Sequence, residues 1–204
     1  MSWKEQLENR FGAHRVHRIA NPLHPEQQLV QLYLELNVPI TVVCTAALSE
    51  YPMPVSEKWK GREFTEICFV LPAHWDLEDI ENPNFNWIYH WLFKLETFVR
   101  EKQTWFGPGH TIPCANPPAP ISETMQQDHF IFTDPMFLAN ELEPVNDGEK
   151  TVHFLTIVPI FSDELDYKMG KGTMKFVRKL QQRNHDERVD EYRKSIQRSR
   201  FRFF

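Results

Sequence analysis

The sequence predicts an α+β domain in which a mixed, largely antiparallel sheet packs against helices. Three observations carry that expectation. Short apolar or β-branched runs with period two cluster before residue 72 and recur after residue 128. One long run between them, from Asn86 onward, changes to helical period. Strands and helices do not alternate strictly, which disfavours a wholly parallel sheet. The 204 residues include 16 Phe and 6 Trp, enough large side chains for a substantial core.

Ser2 with Glu5 three residues later forms a capping-box pattern, and Trp3, Leu7 and Phe11 recur on one helical face. This predicts a helix from about Ser2 to Phe11, closed off by Pro22 and Pro25. Val30, Leu32, Leu34 and Leu36 alternate with Gln31, Tyr33 and Glu35, the mark of a strand with one apolar face. A turn at Asn37-Val38-Pro39 lets the run Ile40 to Thr45 fold back as a hairpin. Pro52 and Pro54 exclude a central strand directly afterwards. Phe64 to Leu71 reads as a third strand, with Thr65, Ile67, Phe69 and Leu71 on the better apolar face.

Asn82-Pro83-Asn84 marks a helix start. Trp87, Ile88, Trp91, Leu92, Leu95, Phe98 and Val99 make a wide stripe, with His90, Lys94, Thr97 and Glu101 opposite. The segment from Trp105 to Ile112 reads as a loop running into an extended piece, and Asn116 to Pro120 is neither helix nor central strand. His129–Thr133 and Met136–Leu142 look extended, and Asn146-Asp147-Gly148 is a turn. Thr151 to Phe161 is apolar on both faces, as in a strand from the middle of a sheet. Thr173 to Leu180 reads as a helix, and a thinner helical pattern follows on Val189, Tyr192 and Ile196. The expected division is an N-terminal helix and lead-in (1–28), a central domain (29–181) and a basic C-terminal helix or tail (182–204).

The net charge is -5, which disfavours a nucleic-acid protein as a whole. Residues 175–204 hold ten Lys or Arg against four Asp or Glu, so a weak contact to RNA, or to an acidic partner or membrane surface, is confined to that tail. No run of about 18 apolar residues is present, so no membrane span is expected. Cys44, Cys68 and Cys114 have no C-x-x-C spacing. Cys44 and Cys68 read as small buried hydrophobes, and an odd cysteine count behind a start without a signal region points to the reducing cytoplasm.

Few patterns carry chemistry. His14 and His17, with His24 nearby, have ligand-like spacing, but Arg15 and Arg18 interleave them and oppose a cation; no metal or other cofactor is expected. Gly170-Lys171-Gly172-Thr173 lacks the full phosphate-cradle pattern and reads as a helix-capping loop. Glu78-Asp79 and Asp163-Glu164 are sequence neighbours and diverge by about 100° on a helix, so neither forms a catalytic dyad. His110, behind Gly107-Pro108-Gly109, is either a ligand-contacting or catalytic imidazole or a residue that pins a tight loop.

Four segments carry a family resemblance. They are Thr45-Ala46-Ala47-Leu48-Ser49-Glu50-Tyr51-Pro52-Met53; Phe64 through Pro72 followed by Trp75; Trp105-Phe106-Gly107-Pro108-Gly109-His110-Thr111-Ile112; and Phe154 through Ile160 followed by Glu164-Leu165. In this order they resemble the suppressor of fused family, shared by the animal Hedgehog-pathway regulator and many bacterial proteins. The match runs from about Leu29 to Leu180. Ala47 departs from a family Gly, which would make a left-handed turn costly there, and the length leaves no room for the animal protein's second domain.

The resemblance implies an α/β sandwich that acts by binding another protein. In animals the family holds a transcription factor, and in bacteria it is associated with immunity proteins that neutralise toxins. The expected function is therefore a non-catalytic, cytoplasmic protein-binding module of the bacterial type, with a cognate toxin as candidate partner. An acidic body suits a basic toxin. The partner-facing residues expected are Trp75, Trp105, Phe106, Gly107, Gly109, His110 and Thr111. The rival expectation is a hydrolase-type enzyme that uses His110 with Glu66 or Asp163 within about 3–4 Å.

Overall fold

Ser2 caps α1 (Trp3–Phe11). Its hydroxyl accepts the Glu5 N–H at 3.3 Å and the Glu5 carboxylate accepts the Ser2 N–H at 2.8 Å, so the expected capping box is complete. A computed structural model describes residues 1–12, 15–21, 24–75, 77, 82 and 84–197. Its strands are β1 (Val16–Ala20), β2 (Gln28–Leu34), β3 (Ile40–Thr45), β4 (Thr65–Pro72), β5 (Thr111–Pro113), β6 (His129–Thr133), β7 (Val145–Asn146) and β8 (Thr151–Ile160). They form a sheet of order β1-β2-β3-β4-β8-β6-β5, with β7 paired beside β8. Only β4 and β8 run parallel; the other pairs are antiparallel. The connection between the parallel strands carries α2 (Trp87–Lys102). The expected fold class is observed.

Both faces of the sheet are covered. Ile67, Phe69, Leu71, Leu155 and Ile157 face α2, with Trp87, Ile88, Leu92, Leu95 and Val99. On the other face, Trp3 and Leu7 of α1 cover Val30, Leu32, Val42, Val70 and Phe154. The far end of that face lies under α4 (Thr173–Gln182), through Phe176 and Leu180 against Ile131, Val158 and Ile160. Hence β4 is buried on both sides from Thr65 to Leu71, not on one better face. Gly172, at φ +88°, turns α3 (Ser162–Lys171) into α4, the capping role expected of it.

Four sequence expectations are corrected, and one strand lies where none was expected. The lead-in contains β1, an edge strand with exposed His17 and Arg18. Met136–Leu142 is a turn, not extended chain, because the buried Glu187 carboxylate accepts the N–H groups of Met136, Phe137 and Leu138, each at 2.9 Å. In α2, Phe98 is 42% exposed and Trp91 half-buried, whereas Tyr89 and Glu96 are buried. The helical pattern on Val189, Tyr192 and Ile196 does not form. Instead residues 183–197 run as turns across the body, and Val189 N–H bonds the Val70 carbonyl at 2.7 Å. Finally, Cys44 and Cys68 are buried as expected but are not independent thiols. They are register partners on β3 and β4, with Cα atoms 4.1 Å apart, and their sulfurs form a disulfide. The thiol argument for a reducing compartment therefore falls away.

The C-terminal segment is fastened where β4 and β8 part. Their pairing covers Thr65–Cys68 against His153–Thr156, and Arg188-Val189 then lies beside Val70. Val189 joins the α2-side core while Ile196 joins the opposite core. Further along, Arg193 grips the fully buried Glu164 through two nitrogens, at 2.5 and 2.7 Å, and the Pro159 carbonyl at 2.8 Å. Glu164 also accepts the Phe161 and Ile196 N–H groups.

Candidate functional site

The Trp105–Thr111 loop is held from three sides. Gln103, in a left-handed conformation at φ 47°, ends α2 and directs the chain back over the sheet. Phe106 is buried and stacks on Phe132 of β6 at 4.2 Å, with Phe98 at 6.1 Å. The Gly109 N–H donates to the Phe132 carbonyl at 2.7 Å, the Phe132 N–H to the His110 carbonyl at 2.9 Å, and the His110 N–H to the Gly107 carbonyl at 3.0 Å. Thr111 then opens β5, the last strand of the sheet.

Both glycines are required by packing. A Cβ on Gly107 would collide with the Trp105 ring. Gly109 has φ +90°, and a Cβ there would lie 2.5 Å from the Thr173 hydroxyl at the start of α4. The loop is thus pressed between β6 and α4, with little freedom left to its backbone.

The His110 imidazole packs on the Trp105 ring, centroids 4.4 Å apart, and both side chains are half-buried. Burial is the main cause of its lowered pKa. The Trp105 backbone acts in the opposite sense and the Lys168 ammonium adds a smaller lowering. Among the described residues, no carboxylate is among the groups acting on this ring. Glu66 accepts the Thr45 hydroxyl at 2.5 Å and the Ser49 N–H at 3.0 Å, and Asp163 accepts the Ser195 hydroxyl. Both carboxylates named in the enzyme expectation therefore have hydrogen-bond partners other than His110. The structure shows His110 as part of a fixed loop.

Trp75 is not part of this surface. It is 5% exposed, stacked on Phe85 at 4.9 Å and near Trp87 at 6.4 Å. Trp75 packs on Trp87 at the start of α2, whereas the loop packs on Phe98, 11 helical residues or about 17 Å further along. What adjoins the loop instead is a groove of about 500 Å³ between α2 and β5, lined by Trp91, Lys94, Phe98, Glu101, Ile112 and Pro113. Its signal in the sequence was a single position: Phe98 lies at the margin of an otherwise core-facing stripe.

A polar cluster with no local sequence signal lies beside Ala47–Ser49. Arg100 donates to the Ala47 carbonyl at 2.7 Å and lies 2.9 Å from the buried Glu96 carboxylate, whose oxygens make no aligned hydrogen bond. Burial pushes the Glu96 pKa up to about 7, opposed by Arg100 and reinforced by Glu66. The folded chain therefore holds a proton that the unfolded chain releases above about pH 4.5. Stability should fall as pH rises from about 4.5 to 7, and Glu96→Gln should flatten that fall, measured as urea midpoints across the range. A slope unchanged by the substitution would show that Glu96 is not its source. Ala47 itself, at φ -134°, has no left-handed backbone, so the departure from the family glycine carries no strain.

His17 and His24 are exposed, and His24 pairs with Glu26 at 3.3 Å. His14, Glu78 and Asp79 lie outside the described residues.

The family model described as suppressor of fused protein (SUFU) matches residues 27–194, most of the chain. The chain belongs to the suppressor of fused family. Solved structures of the family share its fold. A SUFU homolog from Neisseria gonorrhoeae FA 1090 superposes with a TM-score of 0.68 at 18% identity, covering 96% of both chains. The Sufu–Fu complex gives a TM-score of 0.64 at 16% identity, over 94% of this chain and 88% of that one. Drosophila Suppressor of Fused gives 0.62 at 18% identity, over 94% of this chain and 49% of that one. No curated protein sequence matches the chain. The family match extends past residue 181 to include the fastening segment with Glu187 and Arg193. Among the described residues no helix is long and apolar enough to cross a membrane.

Proposed function

We propose that this chain is a non-catalytic protein-binding module whose partner docks on the Trp105–Thr111 loop and the groove beside it. The observation that carries the reading is the loop's construction: buried Phe106 and two packing-required glycines fix a backbone from which Trp105, His110 and Thr111 meet solvent, next to exposed Phe98. A surface ordered before binding loses little entropy on docking, and aromatic side chains are effective anchors. The solved Sufu–Fu complex supports protein binding by a relative of the same fold.

The finer reading is an immunity protein of the bacterial type that neutralises a toxin. The net charge of -5 favours encounter with a basic toxin. A cytoplasmic location belongs to this reading, because an immunity protein must meet an incoming toxin where it acts. Co-expression with the toxin encoded beside the gene tests it, together with capture of that toxin by the tagged chain. Cell survival and co-purification are expected. Cell death at equal expression, with no toxin on the tagged chain, would remove the immunity reading.

A further inference from the structure

α4 docks through Phe176 and Leu180, both fully buried. Helical spacing then turns Met174, Lys175 and Arg178 to the opposite side, and all three are exposed, as is Lys171 at the end of α3. Residues 168–183 contain six cations, Lys168, Lys171, Lys175, Arg178, Lys179 and Arg183, and no Asp or Glu. Among the described residues, none of the six lies within 4.0 Å of a carboxylate oxygen, although Arg10, Arg15, Arg18, Arg62, Arg188 and Arg193 are each paired. Lys179 instead contacts the Tyr167 ring and the Gln197 side chain. Lys175 and Arg178 are helical neighbours of like sign on α4, and Lys171 ends α3 just before Gly172, so the fold leaves this charge uncompensated. Two large apolar side chains of this region are exposed: Met169 of α3 is 69% exposed and Met174 of α4 78%.

We propose that the exposed side of α4, with the end of α3 before Gly172, is a docking site for a short acidic segment of a partner protein, which sets carboxylates against Lys171, Lys175 and Arg178 and an apolar side chain against Met174. Adaptable thioethers suit apolar side chains rather than phosphates. Extent argues the same way. The strip is short, and residues 1–167, the body it sits on, carry -13, although residues 184–204 hold six Lys or Arg against four Asp or Glu. A nucleic acid or an anionic bilayer would reach past a helix of about 15 Å into that opposing field. A short segment would not. The site does not depend on the loop reading, although Thr173 touches Gly109.

The test titrates the full chain with a short labelled peptide rich in Glu and carrying two leucines. Oligouridine of the same length and phosphatidylserine vesicles serve as rival probes. The peptide should bind tightest. Joint substitution Lys171→Gln, Lys175→Gln and Arg178→Gln should weaken it by about tenfold and reduce its salt dependence. Met174→Ser should weaken it by about twofold to fivefold at unchanged salt dependence. These positions face solvent, so the variants should keep the wild-type thermal midpoint. Absence of peptide binding, equal binding by the triple variant, or tighter binding of oligouridine or vesicles would each overturn the proposal. So would self-association that the triple variant abolishes, since a second copy's acidic body would then be the occupant.

Discussion

Arg193→Ala should lower folding stability by about 3–5 kcal/mol, read from urea unfolding, because it strands a carboxylate that no water reaches. Glu164 is fully buried and Arg193 nearly so, and the guanidinium also satisfies the Pro159 carbonyl. The N–H groups of Phe161 and Ile196 still solvate Glu164 in the variant, which keeps the loss from growing larger. The effect should spread to the whole segment after α4, since Ile196 depends on the same carboxylate for its backbone partner. Replacing both members together, Arg193→Met with Glu164→Leu, should recover much of the loss, as a well-packed apolar pair carries no desolvation penalty. A loss below about 1 kcal/mol in the single variant would mean that the segment is only loosely attached.

Phe106→Ala should cost about 3–5 kcal/mol by opening a cavity between α2 and β6. Its ring is the loop's only deep anchor among the loop residues described, stacked on Phe132 and close to Phe98. Phe132 exchanges backbone hydrogen bonds with Gly109 and His110, so a shift of its ring disturbs the two contacts that fix the loop. Hydrogen exchange at the Gly109 and Phe132 amides should accelerate well beyond the change set by global stability. If those amides stay as protected as in the wild type once global stability is allowed for, Phe106 fills space without positioning the loop.

Elements with local signals were legible in the sequence. The capping box placed α1, the proline-bounded alternation placed β2 through β4, and the two-sided apolar run placed β8 in the middle of the sheet. β1 was not legible because an edge strand with exposed His17 and Arg18 has no alternation to display. The segment after α4 misled for a different reason. Val189, Tyr192 and Ile196 have helical spacing, yet Val189 and Ile196 enter cores on opposite faces of the sheet and Tyr192 is exposed. Spacing alone does not say which side of a sheet a side chain reaches. Glu164 and Glu187 look like surface carboxylates in sequence, because their backbone N–H and guanidinium partners are distant or change with the turn. At the candidate site, the glycines and aromatics of the loop were recognised. The distance to Trp75 required knowing that α2 lies between them.

The central claim is that recognition resides in the surface presented at Trp105–Thr111, not in a reaction at His110. Calorimetric titration of a protein partner captured by the chain, against wild type and Trp105→Ala, tests it most directly. The account predicts a loss of at least about 2 kcal/mol in binding for Trp105→Ala, as for a central aromatic anchor, with the fold retained. Unchanged affinity in a folded Trp105→Ala variant would contradict it.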